Sequence, residues 1–210
     1  MNISVLGDLL ARSFAAMARK AEETSRTVLV PKQPEPEPPL AIHQLGASEL
    51  RAPARRVSKV DESVRELARD MLRSMYSAKG IGLAAPQVGV AKQLLVIDLD
   101  LEEASTPPLV LINPEITVAG ASCNTYEEGC LSIPGVYLQV VRPSVVEVSY
   151  RDAYGRPRRL KADGLLARCI QHEMDHLNGV LFVDRVTDSL ALNEELQQHG
   201  FKHDDVLPIR

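Results

Sequence analysis

The stretch CIQHEMDHLNGVLF, from Cys169 to Phe182, constrains the fold most because its chemistry requires a helix. His172 and His176 are four residues apart, about one helical turn, so both imidazoles can point at one ion from the same face. Glu173 is set about 100° round the helix, where it can move protons without acting as a ligand. Histidines at this spacing also occur as partners on a polar face, but the motif is rare by chance and lies in a helix with its own cap and stop signals, which favours metal binding.

Two histidines cannot hold a catalytic metal alone, so a third ligand must come from elsewhere. The longer protease pattern H-E-x-x-H-x-x-G-x-x-H fails because Phe182 stands at its last position. A second class of peptidase takes a glutamate from a later helix, and Glu194 or Glu195 would serve. Cys169 lies seven residues from His176, about 10 Å along a helix, which is too far for one ion to bridge both.

The middle of the chain supplies two further candidate ligands, Cys123 and Cys130. Composition favours Cys130, because in EEGCLSIPG the glycines and the proline define the path of a loop. The stretch GIGLAAPQVG, from Gly80 to Gly89, allows close backbone approach, and Gln87 offers an amide donor. By themselves these glycines also fit an ordinary turn.

Charge and cysteine content limit the location and the partners. Only three cysteines occur, which predicts a reducing, cytoplasmic compartment. The net charge is −4. We expect no DNA binding, since a basic face is not evident, and no membrane association, since no apolar run approaches about 18 residues.

The order of elements predicts an α+β fold, with mainly antiparallel sheets packed around a central H-E-x-x-H helix. Helices are expected from Asp61 to about Ser77, from Asp163 to about Asn178 and, more weakly, from Ser189 to Gln198. The β-prone runs are 93–98, 109–113, 115–118, 136–141, 144–150 and 158–162.

Residues 1–39 are interpreted as an N-terminal extension and Pro-rich linker, and residues 40–210 as the catalytic domain. Residues 1–20 have the spacing of an amphipathic helix, and Pro31–Pro39 favours an extended strap or linker. The extension is expected to be dispensable for catalysis. An organellar location would follow only if it acted as a targeting segment, and its acidic residues argue against that.

Three stretches together resemble the peptide deformylase family: GIGLAAPQVG, EGCLS (Glu128–Ser132) and QHEMDH (Gln171–His176), in this order. The resemblance covers about residues 40–187. With Tyr137 after Gly135 and Val136, the chain resembles the plastid and cyanobacterial branch of that family.

The resemblance implies a metal-dependent hydrolase that removes the formyl group from the N-terminal formylmethionine of nascent polypeptides and releases formate. It implies one divalent ion, Fe²⁺ in the cell with Zn²⁺, Ni²⁺ or Co²⁺ as substitutes. It also implies that Glu173 is the general base and acid. The remaining implied roles are metal ligands for Cys130, His172 and His176, oxyanion stabilisation for Gln87 and the Leu131 amide, and substrate binding for the Gly82 backbone.

Ile81, Leu165 and Cys169 are predicted walls of the methionine pocket, because they flank the catalytic positions. The partners implied are the nascent N-formylmethionyl peptide and, transiently, the ribosome. Two alternatives remain open from the residues: a general metallopeptidase that uses Glu194 or Glu195, and a catalytically silent module that binds N-termini. An intact Glu173 argues against the second, since a binder has no use for that base.

Overall fold

The computed structural model describes residues 28–209, and the helix expected within residues 1–20 lies outside this range. Seven strands and three α-helices follow one another in the described part of the chain. The strands are β1 (Gly82–Ala84), β2 (Leu94–Ile97), β3 (Leu109–Ala119), β4 (Cys123–Cys130), β5 (Ile133–Pro143), β6 (Val145–Arg151) and β7 (Pro157–Asp163). The α-helices are α1 (Glu62–Ser77), α2 (Gly164–Leu177) and α3 (Ser189–Gln198).

The strands form two antiparallel sheets. Five of them lie in the order β1-β2-β3-β6-β7, and β4 pairs with β5 as a separate two-stranded hairpin. The predicted α+β class is confirmed. Within residues 28–209, no helix has the length and apolar character needed to cross a bilayer.

The H-E-x-x-H helix, α2, lies between the five-stranded sheet and the β4–β5 hairpin. Strand β2 is buried on both faces: Leu94 and Val96 pack with α1, whereas Leu95 and Ile97 pack with α2. This follows from the two-residue period of a strand, which turns successive side chains to opposite faces. The hairpin buries its inward residues against the segment around Phe182.

The helix boundaries follow their local sequence signals. The Asp61 side chain accepts a hydrogen bond from the Val64 amide at 3.4 Å and begins α1. Gly179, just after α2, has a φ of 72°. A Cβ at this glycine would lie 2.4 Å from the carbonyl oxygen of Arg51, so both the left-handed backbone and the close approach require glycine.

The structure differs from the expected strands in two places. Strand β3 continues through Pro114 with register shifts, and Asn113, at a φ of 52°, exchanges two side-chain hydrogen bonds with the Val57 backbone. The segment Cys123–Cys130 is a strand and not a loop, so the loop setting expected for Cys130 is wrong. Its largely exposed side chains lack a clear apolar alternation, and pairing with β5 determines its conformation.

Substitution of Met71 by alanine tests the α1 core. Met71 is fully buried in the middle of α1, so the cavity should lower the free energy of unfolding by about 2–5 kcal/mol. Glu66→Ala, on the exposed side of the same helix, should change it by less than about 0.5 kcal/mol. Urea denaturation measures both values, and equal losses would contradict the packing described.

Candidate metal centre

Three side chains from two elements converge to form a candidate metal centre. Cys130 ends β4, and His172 and His176 project from consecutive turns of α2. Their ligand atoms lie within 4.8 Å of one another, and Cys130 Sγ is 3.3 Å from His176 Nε2. Within residues 28–209 this is the only group of three or more histidine, cysteine or acidic side chains arranged so closely.

The other candidate ligands lie elsewhere. Cys123 is exposed at the opposite end of β4, paired with Pro143. Cys169 is buried, with its Sγ 3.8 Å from the carbonyl oxygen of Ile81, and burial raises the pKa of its thiol well above the usual value. Glu194 and Glu195 lie on α3 and belong to no metal-binding group of the described residues.

Glu173 lies beside the three ligands in a buried position. Its Oε2 has no hydrogen-bond partner among residues 28–209. Burial raises the pKa of Glu173 to about 7. Gly82 on β1 packs against it so closely that a Cβ there would lie 2.4 Å from Glu173 Oε1. A side chain at position 82 would collide with this carboxylate. The buried Oε2, unpartnered within residues 28–209, can accept a hydrogen bond from a bound water or ligand.

Gln87 approaches the centre from the short turn Ala85–Val88. Its Oε1 accepts a hydrogen bond from the Ala84 amide at 2.8 Å, which fixes the orientation of the side chain. Its Nε2 donates to Ser132 Oγ at 3.1 Å and to Cys130 Sγ at 3.5 Å. The amide nitrogen of Gln87 is therefore held beside the thiol, where it can donate to an oxygen bound there.

A buried ionic cluster lies behind His172. Glu128 Oε2 is 2.9 Å from His172 Nδ1, so Nδ1 donates to the carboxylate and Nε2 is left to face the centre. Arg142 donates to both oxygens of Glu128, at 2.6 and 2.9 Å, and to Asp175 at 2.7 Å. Arg168 also donates to Glu128. The cluster joins the hairpin to α2 and fixes the ring of His172.

Charge and burial act differently on the two histidines. Burial lowers the pKa of His176 well below its usual value, and the charge of His172 adds to this, so His176 is neutral. Burial alone would lower the pKa of His172, but hydrogen bonds with Cys130 and Glu128 outweigh it and raise that pKa. Burial alone would raise the pKa of Glu128, but hydrogen bonds from His172 and Arg142 outweigh it and hold that pKa below its usual range.

A cleft of about 510 Å³ opens onto the centre. Its walls include all three predicted pocket residues, Ile81, Leu165 and Cys169, together with the Leu131 loop. Ile81 and Leu165 are 36% and 57% exposed, so they lie at the mouth of the cleft, whereas Cys169 is buried inside it.

The donor set fits a transition metal. One thiolate with two imidazoles suits iron or zinc and disfavours magnesium or calcium. The partner-free oxygen of Glu173 adds a proton acceptor beside the ion. These residues therefore fit one divalent metal ion.

Sequence reasoning missed the cluster around Glu128, although two signals point to it. Glu128 and Asp175 lie inside the two motifs that supply the ligands. Arg142 follows Val136, Leu138 and Val140 at every second position of β5, where the alternation predicts an inward side chain. A charged residue at such a position needs a buried partner of opposite charge.

Comparison with known proteins agrees with the fold and identifies the family. The family model described as polypeptide deformylase matches residues 39–191. A peptide deformylase of Synechococcus sp. strain CC9605 is 70% identical over 200 residues, which cover 95% of this chain and all of that protein. Peptide deformylase 2 of Prochlorococcus marinus strain MIT 9313 is 68% identical over the same shares.

Solved structures show the same likeness. The crystal structure of a peptide deformylase from Synechococcus elongatus, in complex with actinonin, has a TM-score of 0.86 at 61% identity and covers 87% of this chain and 99% of that one. A plant peptide deformylase structure has a TM-score of 0.73 at 40% identity, covering 79% and 89%. The predicted family and its cyanobacterial likeness are confirmed. The chain belongs to the polypeptide deformylase family.

Proposed function

We propose that Cys130, His172 and His176 hold the single divalent metal ion with which this deformylase removes the formyl group from N-terminal methionine. The observation that carries the proposal is the convergence of one thiol and two imidazoles within 4.8 Å, beside a buried carboxylate oxygen that has no partner in residues 28–209. A divalent ion bound there supplies a Lewis acid that activates water and polarises the formyl carbonyl.

Glu173 is the group that moves protons. It takes a proton from the water whose oxygen adds to the formyl carbon, and it returns a proton to the amine nitrogen as the carbon–nitrogen bond breaks. The products are formate and a free N-terminus, so atoms and charge balance. The position of Glu173 supports this role, because Gly82 lets the backbone of β1 lie directly against the carboxylate.

Gln87 and the backbone amide of Leu131 stabilise the negative charge that develops on the formyl oxygen. Gln87 supports this role because its carbonyl oxygen is fixed by Ala84, which leaves its amide nitrogen pointing towards Cys130. Donors positioned in advance cost no reorganisation during the reaction, and one such donor is typically worth about 3–4 kcal/mol.

The substrate is a nascent chain that begins with N-formylmethionine, and it lies in the cleft that Ile81, Leu165 and Cys169 line. Ile81 and Leu165 provide the apolar mouth through which the methionine side chain enters, and the Gly82 backbone holds the peptide. We assign Fe²⁺ as the ion used in the cell. We also propose that the enzyme contacts the ribosome transiently while it acts on the nascent chain. The thiolate and imidazole donors support iron over magnesium or calcium.

Replacement of Cys130 by serine tests the ligand set. Loss of the thiolate should remove both the bound metal and formate release from formyl-Met-Ala. Cys123→Ser is the matched control, because Cys123 is exposed at the far end of the same strand. It should retain wild-type metal content and rate. Metal-to-protein ratios and formate assays measure the outcome, and a Cys130→Ser protein that keeps its metal contradicts the proposal.

Replacement of Glu173 by glutamine separates proton transfer from metal binding. The variant should keep its metal and lose about 10²–10⁴-fold in kcat, because the amide cannot accept the proton. Glu194→Gln serves as the control for the rival metallopeptidase and should leave both quantities unchanged. If Glu194→Gln lost the metal while Cys130→Ser kept it, the metallopeptidase hypothesis would replace the proposed ligand set.

Exchange of the ion tests the assignment of iron. A chelator should abolish activity, and anaerobic reloading with Fe²⁺ should restore a higher kcat/KM than reloading with Zn²⁺, each at a measured one-to-one stoichiometry. Equal or greater activity of the zinc form would contradict the assignment of iron while leaving the ligand set intact.

A further inference from the structure

The N-terminal strap, defined as residues 28–39, is joined to the body of the protein by a buried charge pair. Lys32 Nζ lies 2.8 Å from Asp98 Oδ2, and the two side chains are only 5% and 0% exposed. Lys32 also donates to the carbonyl oxygen of Asp100 at 2.6 Å. A lysine from a Pro-rich extension is thus placed inside the molecule, which a passive linker does not require.

Asp98 connects this lysine to both sides of the segment 78–81, which runs from α1 to β1. At the α1 end, the Tyr76 hydroxyl donates to Asp98 Oδ2 at 2.7 Å. At the β1 end, the Asp98 amide donates to the carbonyl oxygen of Ile81 at 2.9 Å. The Asp98 side chain therefore holds the last turn of α1, while the Asp98 backbone holds Ile81, the last residue of the segment.

The segment and β1 form one wall of the substrate cleft. Ile81 lies at the mouth of the cleft, and Gly82 begins β1 in contact with Glu173. Strand β1 has only three residues and lies at the edge of its sheet, so few ladder hydrogen bonds set its position. A shift of Asp98 would move the backbone of Ile81, to which it is hydrogen-bonded and which borders the substrate cleft.

The charge pair controls the position of Asp98 because both of its side chains are buried. A carboxylate that is fully buried without its cation is strongly unfavourable and moves towards water. Without Lys32, Asp98 would keep hydrogen bonds from Tyr76 and from the Asp100 amide but would lose its charged partner. The movement of Asp98 would carry Ile81 with it.

We propose that Lys32 is a positioning residue for substrate binding: through Asp98 it holds Ile81 and β1 at the distance that the formylated peptide requires. The proposal rests on the proposed function in placing the peptide against β1. It departs from the expectation that the whole of residues 1–39 is dispensable for catalysis. It assigns residue 32 a part in the cleft although it precedes the family match at residue 39.

The strap provides its own control. Glu35 forms two hydrogen bonds with Arg73 of α1, at 2.7 and 2.8 Å, and its amide donates to Ser77 Oγ. These contacts hold the strap to α1 without reaching Asp98. Glu35→Gln therefore loosens the strap and leaves the charge pair intact, whereas Lys32→Met removes the charge pair and keeps the length of the side chain.

The experiment compares full-length, metal-loaded Lys32→Met, Glu35→Gln and wild-type proteins. Lys32→Met should raise KM for formyl-Met-Ala by about fivefold or more with kcat within about twofold, because binding geometry and not proton transfer is disturbed. Amide hydrogen exchange should accelerate in residues 80–84. Glu35→Gln should change neither KM nor exchange in that segment, even if both variants lose some thermal stability.

Two outcomes overturn the proposal. One is wild-type KM and wild-type exchange of residues 80–84 in a folded Lys32→Met protein. The other is an equal rise of KM in Glu35→Gln, which would mean that the strap acts only through general stability. If Lys32→Met does not fold, Asp98→Asn carries the test, since it removes the charge of the same pair and leaves an oxygen that can still accept from Tyr76. Raised KM and faster exchange support the proposal, and wild-type values overturn it. Amide hydrogen exchange is measured without turnover, so failure of the Lys32 proposal is distinguishable from failure of the metal-ligand assignment.

Discussion

The carboxylate of Glu128 lies between the hairpin and α2, where it accepts a hydrogen bond from His172 and faces the guanidinium groups of Arg142 and Arg168. Two elements distant in sequence meet at this point, and both contribute metal-ligand candidates. A buried carboxylate is tolerated only with partners of opposite charge. The packing of the hairpin on α2 and the orientation of the His172 ring therefore depend on the same contacts of Glu128. Arg142 extends that constraint to Asp175, which lies three residues after His172 on α2.

The sequence predicts most of the regular structure because the helices carry their own signals. Asp61 begins α1 and Gly179 follows the end of α2, and the last helix, Ser189–Gln198, has the predicted bounds. Strands were harder to predict where pairing outweighs local preference. Neither Cys123–Cys130 nor Gly82–Ala84 shows an alternating pattern, since the first is mostly exposed and the second is buried throughout. Their conformation comes from their neighbours.

The site was predictable to the extent that its chemistry lies in short motifs. Spacing on one helix places His172 and His176, and residue type suggests Gln87. Sequence alone could not decide between Cys130 and the later glutamates, because that choice depends on which distant segment packs against α2. The same limit hid Lys32, whose role depends on Asp98, a residue 66 positions away in the chain. Contacts of this kind leave no local periodicity.

The wide spacing of the site along the chain also has a consequence for biosynthesis. Gln87 and Cys130 are 43 residues apart, and Cys130 and His176 are 46 apart, yet all three meet around one point. Contacts between such distant segments form late, because each requires closure of a long loop. With the proposed ligands, a growing chain that has not yet released its last third from the ribosome has no place to hold an ion. The protein begins to process other newborn chains only when its own synthesis is nearly finished.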